Sequence, residues 1–272
     1  MAATPVHIGS PPVRPTRVMA LLTGKATLRT DRWWLNPAGT ALFLGALTAY
    51  AVWAGFQTSH FAVGSYISPL YSPCVAADCG SRANAVIIGS WWKLSPALLV
   101  MAVPIGVRAT CYYYRKLYYR AFWLSPPACA VAEPRSSYSG ESKFPLILQN
   151  LHRYFWAASV LVASMLTVDA VNSFRQPGGF GIGVGTVFIV SNGAAFWAYV
   201  LSCHACRHLA GGGLRSQAAH PFRHRLWRLT SRLNTHHGLF ALISLPLVMA
   251  TDGYIRLVSA GVITDPHIFL FR

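Results

Sequence analysis

The sequence predicts an all-α integral membrane protein of about five transmembrane helices, with a cytoplasmic N-terminus and an external C-terminus. Three observations carry this expectation. Of 272 residues, 54% are hydrophobic and 11% charged, whereas a soluble domain carries about 25% charged residues. Apolar runs recur at the length a helix needs to cross a bilayer, roughly 20 residues. The 23 Lys and Arg residues, against 7 acidic ones, gather between those runs. A net charge of +16 in a soluble chain would suggest nucleic acid. Basic clusters alternating with apolar runs belong instead to membrane topology, so no nucleic-acid partner is expected.

Taken in order, residues 1–36 form a polar, basic, proline-containing cytoplasmic leader without the apolar segment of a signal peptide. Five apolar stretches follow at about 37–57, 85–107, 149–173, 182–204 and 238–262. They are read as helices because a backbone in lipid must satisfy its own polar groups. Together they make a transmembrane domain over 37–262, with an external loop at 58–84 and cytoplasmic segments at 108–148 and 205–237. An external tail at 263–272 completes the chain. The leader holds 5 basic residues, 108–153 holds 7 and 205–233 holds 6, against Arg82, Arg175, Arg256 and Arg272 outside. An excess of Lys and Arg marks cytoplasmic loops, which sets the orientation. Trp33, Trp34, Trp91, Trp92, Trp123 and Trp156 fall near the predicted interfaces, where indole rings anchor helices. Prolines and small polar residues over 124–145 predict a connector with little regular structure, and 176–179 reads as a tight turn.

The six cysteines divide by compartment. Cys74 and Cys79 share the external loop, where a disulfide can persist, with free thiols as the alternative. Cys203 and Cys206 lie at the cytoplasmic end of the fourth helix, where thiols stay reduced. Three residues apart on a helix, their sulfurs would share one face. Arg207 follows them, so this is not the C-x-x-C-H pattern of haem attachment. His152 opens the third helix and His236 and His237 open the fifth at the same face. Two thiolates with two imidazoles suit a zinc ion or a Rieske-type [2Fe–2S] cluster. His204, His208 and Cys111 are further candidate ligands, and inert buried cysteines are the plain alternative.

Four charges, Lys93, Asp169, Asp252 and Arg256, fall in or near the outer halves of the helices. Charges within a span pair with one another or line a polar path. Both an ion-pair network and a proton path stay open.

Several stretches resemble one family. They are Thr30-Asp31-Arg32-Trp33-Trp34, Cys111-Tyr112-Tyr113-Tyr114-Arg115-Lys116, Ala128-Cys129-Ala130-Val131-Ala132-Glu133-Pro134, and the surroundings of His152, Cys203 and His237. The family is the single-chain membrane anchor of actinobacterial succinate dehydrogenase, and the resemblance runs from about Thr30 to about Arg256. It implies a flavoprotein and an iron–sulfur subunit as partners, residence in the cytoplasmic membrane, and delivery of electrons to a quinone, menaquinone being the expected one. It implies a Rieske-type cluster held by Cys203 and Cys206 on one iron and by His152 and His237 on the other. Trp33, Trp34, Tyr113 and Arg153 lie at a depth suited to quinone. The chain alone would not oxidise succinate, and assembly into a higher oligomer is open. Two competing readings are an anchor with haem b on His152 and His237, and a quinone-linked thiol–disulfide oxidoreductase. A transporter is disfavoured because no matched pair of interrupted helices stands out.

Overall fold

A computed structural model of the chain describes residues 29, 31–74, 95–134, 140–144, 146–176 and 178–271. The predicted leader, apart from residues 29 and 31–36, lies outside the described residues, as do Cys79, Trp91, Trp92 and Lys93. The architecture is helical and multi-pass. Helix α1 spans Leu35–Phe56, α2 Ala97–Ala109, α3 Tyr112–Phe122, α4 His152–Asn172, α5 Val184–Leu201, α6 His204–Gly211, α7 Pro221–Asn234 and α8 His237–Ser259. Four of these, α1, α4 (with the 3-10 turn from Leu146), α5 and α8, are long and apolar enough to cross a membrane. The predicted second span is described only from residue 95, and α2 with α3 qualifies only as a pair broken at Thr110–Cys111.

The described residues fall into two units, Met1–Leu44 with Arg115–Ser139, and Gly45–Tyr114 with Gly140–Arg272. In the first, Trp33 is buried against Val131 and Ala128, and Arg29 pairs with Asp31 while donating to the Cys129 carbonyl. In the second, α5 packs between α4 and α8, and α2 packs on α4. Lipid is as apolar as leucine, so close approach of backbones drives such packing. Gly106 illustrates it, because a Cβ there would overlap the Phe155 ring of α4. Gly106→Ala should therefore lower the thermal midpoint of the purified protein, by about 1–3 kcal/mol of overpacking. An unchanged midpoint would show that Phe155 swings aside freely.

Three findings depart from the sequence expectation. The predicted fourth helix breaks at Ser202–Cys203, where the Ser202 hydroxyl donates to the Tyr199 carbonyl and the Cys203 sulfur accepts from the Ala205 amide. The segments expected at the cytoplasm are more regular than expected, carrying α6 and the basic helix α7. The tail expected outside is a strand. β5 (His267–Phe271) pairs antiparallel with β4 (Gly179–Gly183), which pairs with β3 (Arg175–Gln176), so the predicted turn at 176–179 becomes a β-hairpin.

The loop after α1 carries a small hairpin of β1 (Ala62–Val63) and β2 (Tyr66–Ile67), then enters the bundle. Ser68, Tyr71, Ser72 and Cys74 are wholly buried. Backbone buried in this way needs internal partners, and three hydroxyls also fasten the loop to carboxylates. Tyr66 donates to Asp265 at 2.7 Å, Ser68 to Asp252 of α8 and Ser72 to Asp169 of α4. Cys74 is disulfide-bonded.

Candidate functional site

The opposite end of the same unit gathers the cysteines and histidines. His152 is the first residue of α4, entered from a 3-10 turn at Leu146–Leu151. Its Nδ1 lies 3.0 Å from the Thr110 hydroxyl and its Nε2 lies 3.1 Å from the Cys203 sulfur. The Thr110 hydroxyl donates its own proton to the Gly106 carbonyl, 2.7 Å away. It therefore accepts from His152 Nδ1–H, which leaves the Nε2 lone pair directed at Cys203.

His237 repeats this arrangement with different partners. It opens α8 and is buried. Its Nδ1 is 2.7 Å from the Ser202 hydroxyl, which donates to the Tyr199 carbonyl at 3.0 Å. The same reasoning assigns the proton to Nδ1 and aims the Nε2 lone pair at the Cys111 sulfur, 3.5 Å away. The pairs cross. Thr110-Cys111 and Ser202-Cys203 are both a hydroxyl residue followed by cysteine at a helix end, and each histidine takes the hydroxyl of one and the thiol of the other. Aromatic packing fixes His237 further, with Tyr199 stacked on its ring at 4.9 Å and Tyr113 edge-on at 5.3 Å.

Of the expected ligands, His152 pairs with Cys203, and His237 pairs with Cys111. Cys206 is only partly buried on α6, and among the described residues it makes no hydrogen bond to a histidine. Cys203 is the extended N-cap of α6 and Cys206 lies in its first turn, so the two are not on one continuous helix with α5. His236 is exposed and turned to Thr235 at 2.9 Å. His204 and His208 line a pocket of about 540 Å³ with His152, Arg153, Tyr154 and Trp156. Trp33 and Trp34 belong to the other unit. Beyond the end of α5, burial pushes the Cys203 thiol up to about 12, so a nearby cation is what would make it a thiolate. Among the described residues no three His, Cys, Asp or Glu side chains converge as one metal ion would need. The donors come as two pairs.

The expected charge network divides. Asp252 is wholly buried and accepts from Arg256 Nε at 2.8 Å and from the Tyr50 hydroxyl at 2.6 Å, besides Ser68. Arg256 also donates to the Ser59 and Ala54 carbonyls. Asp169 is held by Ser72, with no cation beside it among the described residues.

Residues 35–261 match the family model of the actinobacterial succinate dehydrogenase subunit SdhC. The chain belongs to this family. A chain of the solved Mycobacterium smegmatis structure described as the Sdh1 complex in the apo form is similar to it, at 46% identity and a TM-score of 0.83. The likeness covers 90% of this SdhC-family chain and 94% of that one. No match was found among curated proteins. Membership accounts for the multi-pass architecture, whereas the hydroxyl partners Thr110 and Ser202 escaped the reading of the sequence. Their signal is the repeated hydroxyl-cysteine dipeptide, visible only once the helix ends are known.

Proposed function

We propose that this chain is the membrane-anchor and electron-transfer subunit of a succinate dehydrogenase in the cell membrane, bound to a flavoprotein and an iron–sulfur subunit and passing electrons to quinone. The observation that carries the reading is the matched pair of buried histidines, each with Nδ1–H spent on a hydroxyl and Nε2 presented to a thiol. Histidines that ligate metal are oriented in this way by outer partners. Two thiols and two imidazoles match the ligand count of a Rieske-type group, in which two histidines would hold one iron and two cysteines the other. Cys111, His152, Cys203 and His237 would hold it, with Cys206 as the alternative thiolate. Bound there, a [2Fe–2S] group of mixed ligation supplies one-electron transfer at a raised potential.

The protein's own residues prepare the site. Thr110 and Ser202 fix the tautomers, while Tyr199 and Tyr113 hold the His237 ring in place. The pocket beside His152 is of a size that takes a cofactor headgroup. Arg153 supplies a donor there for a quinone carbonyl and Trp156 an aromatic wall. Tyr113, in the same unit, stays a candidate for that ligand. The positive-inside count puts this end at the cytoplasm, where the arginines of α7 offer a basic face to the partner subunits.

Low-temperature EPR and visible spectra of the dithionite-reduced purified complex test the reading. A mixed-ligand iron–sulfur signal that disappears in the His152→Ala/His237→Ala variant is expected. A haem spectrum, or spectra indifferent to that variant, would refute the cluster and leave the anchor role. Replacing the orienting hydroxyls, in Thr110→Val or Ser202→Ala, should weaken metal retention about 10–100-fold, read as iron lost to a chelator over time. The exposed Ser164→Ala serves as a control.

A further inference from the structure

A small cavity lies inside the second unit between its two ends. It measures about 60 Å³ and its wall is mostly apolar, drawn from α1, the buried loop, α2, α4, α5 and α8. Two polar side chains interrupt that wall, Arg108 and Asn192. Asn192 is 2% exposed and sets its amide in this apolar wall. Arg108 donates to the Pro104 carbonyl and lies near Ser244, and its Nε is buried without a partner among the described residues. A buried guanidinium donor that lacks a partner is costly unless something satisfies it. A cavity of this size takes water but not a quinone ring, and water needs the polar partners that Arg108 and Asn192 supply.

The position of the cavity gives this water a use. Leu166 lines it from α4, and Asp169 stands three residues further along that helix, about 5 Å by helical rise. Leu70 lines it from the buried loop, and Ser72, which holds Asp169, stands two residues further on. Toward the other end, the Arg108 guanidinium lies 5.4 Å over the Tyr199 ring, which stacks on His237. A polar column therefore runs Ser72, Asp169, Asn192, Arg108, Tyr199 through an apolar bundle. The two carboxylates along the membrane differ in kind. Asp252 has Arg256 as a fixed counter-charge, whereas Asp169, 6% exposed, has a hydroxyl on one oxygen and no partner on the other among the described residues.

We propose that Asp169 is a proton-carrying carboxyl and that water held by Asn192 and Arg108 links it to the Cys/His end, forming a proton path from the external side through the bundle. The inference rests on the reading of the chain as a quinone-reducing anchor. Succinate oxidation yields two electrons and two protons, and reduction of a quinone to a quinol takes two of each. The path lets the two protons taken by quinone enter from the external side, each passing onto the Asp169 carboxylate and off again. Asp252 and Arg256 stay charged and structural.

The test uses the purified complex in liposomes, with pH dyes on each side, succinate as donor and a short-chain quinone as acceptor. Proton uptake is expected from the side facing the buried loop. Asp169→Asn should reduce it at least tenfold, Asp169→Glu should restore it, and succinate-driven reduction of a soluble dye, which needs no quinone, should be unchanged. Asn192→Leu should reduce uptake independently if Asp169→Asn fails to assemble. Uptake wholly from the Cys/His side, or full uptake in both variants, would overturn the proposal. Absence of succinate-driven quinone reduction in the wild-type complex would refute the functional reading instead. Infrared difference spectra between acid and alkaline media then decide the matter alone. A carboxyl band that titrates and is lost in Asp169→Asn supports the path, and its absence removes it.

Discussion

Cys111→Ser is expected to strip the purified complex of its anchor-bound iron as completely as Cys203→Ser, while Cys206→Ser retains most of it. The sequence alone favoured Cys203 with Cys206, since three residues on a helix face one way. The structure ends α5 at Leu201 and turns the chain at Cys203, so the two sulfurs do not share a helix. Cys111, by contrast, faces His237 at 3.5 Å, and both side chains are buried. Losing one of four ligands should lower the anchor-bound iron more than tenfold. Iron analysis per chain, with the EPR signal, reads the outcome. Retention of the cluster in Cys111→Ser together with its loss in Cys206→Ser would restore the C-x-x-C assignment.

The second large effect is expected at Asp252 and Arg256. Their ion pair is buried, with Asp252 wholly inaccessible and Arg256 8% exposed. Removing one partner from such a pair leaves a charge uncompensated, at about 3–5 kcal/mol. Asp252→Ala and Arg256→Met should each lower the thermal midpoint in detergent sharply. The double variant Asp252→Leu/Arg256→Met should recover much of the loss, because an apolar pair of similar volume can replace a buried ion pair nearly without penalty. A double variant as unstable as the sum of the singles would mean that the hydrogen bonds from Tyr50 and Ser68, and those of Arg256 to Ala54 and Ser59, matter more than the pair itself.

The spans were legible because their signal is bulk transfer of apolar residues into lipid, which needs no knowledge of neighbours. The expected 37–57, 182–204 and 238–262 correspond to Leu35–Phe56, Val184–Leu201 and His237–Ser259. The histidines at helix starts were legible for a related reason, since they mark where apolar periodicity stops. What escaped depended on partners distant in sequence. Thr110 and Ser202 look ordinary until each is seen to accept from a histidine 42 or 35 residues away. The strand formed by the tail pairs across more than 80 residues with β4, and no local periodicity announces it. Asp169 and Asp252 were equal candidates in the sequence. Among the described residues, the loop that inserts beside them gives Asp169 a hydroxyl, whereas Asp252 has Arg256 as well as a hydroxyl.

That inserted loop constrains the order in which the protein can be made. Ser68 leaves the ribosome 184 residues before Asp252, its acceptor, and Tyr66 leaves 199 residues before Asp265. The segment must wait, beside the membrane or within the insertion machinery, until α4 and then α8 have arrived. Its burial is thus a late event in biogenesis although its synthesis is an early one. A chain halted after α5 would hold the segment without two of its three acidic fasteners, which makes that stage the natural point for quality control to recognise an unfinished anchor.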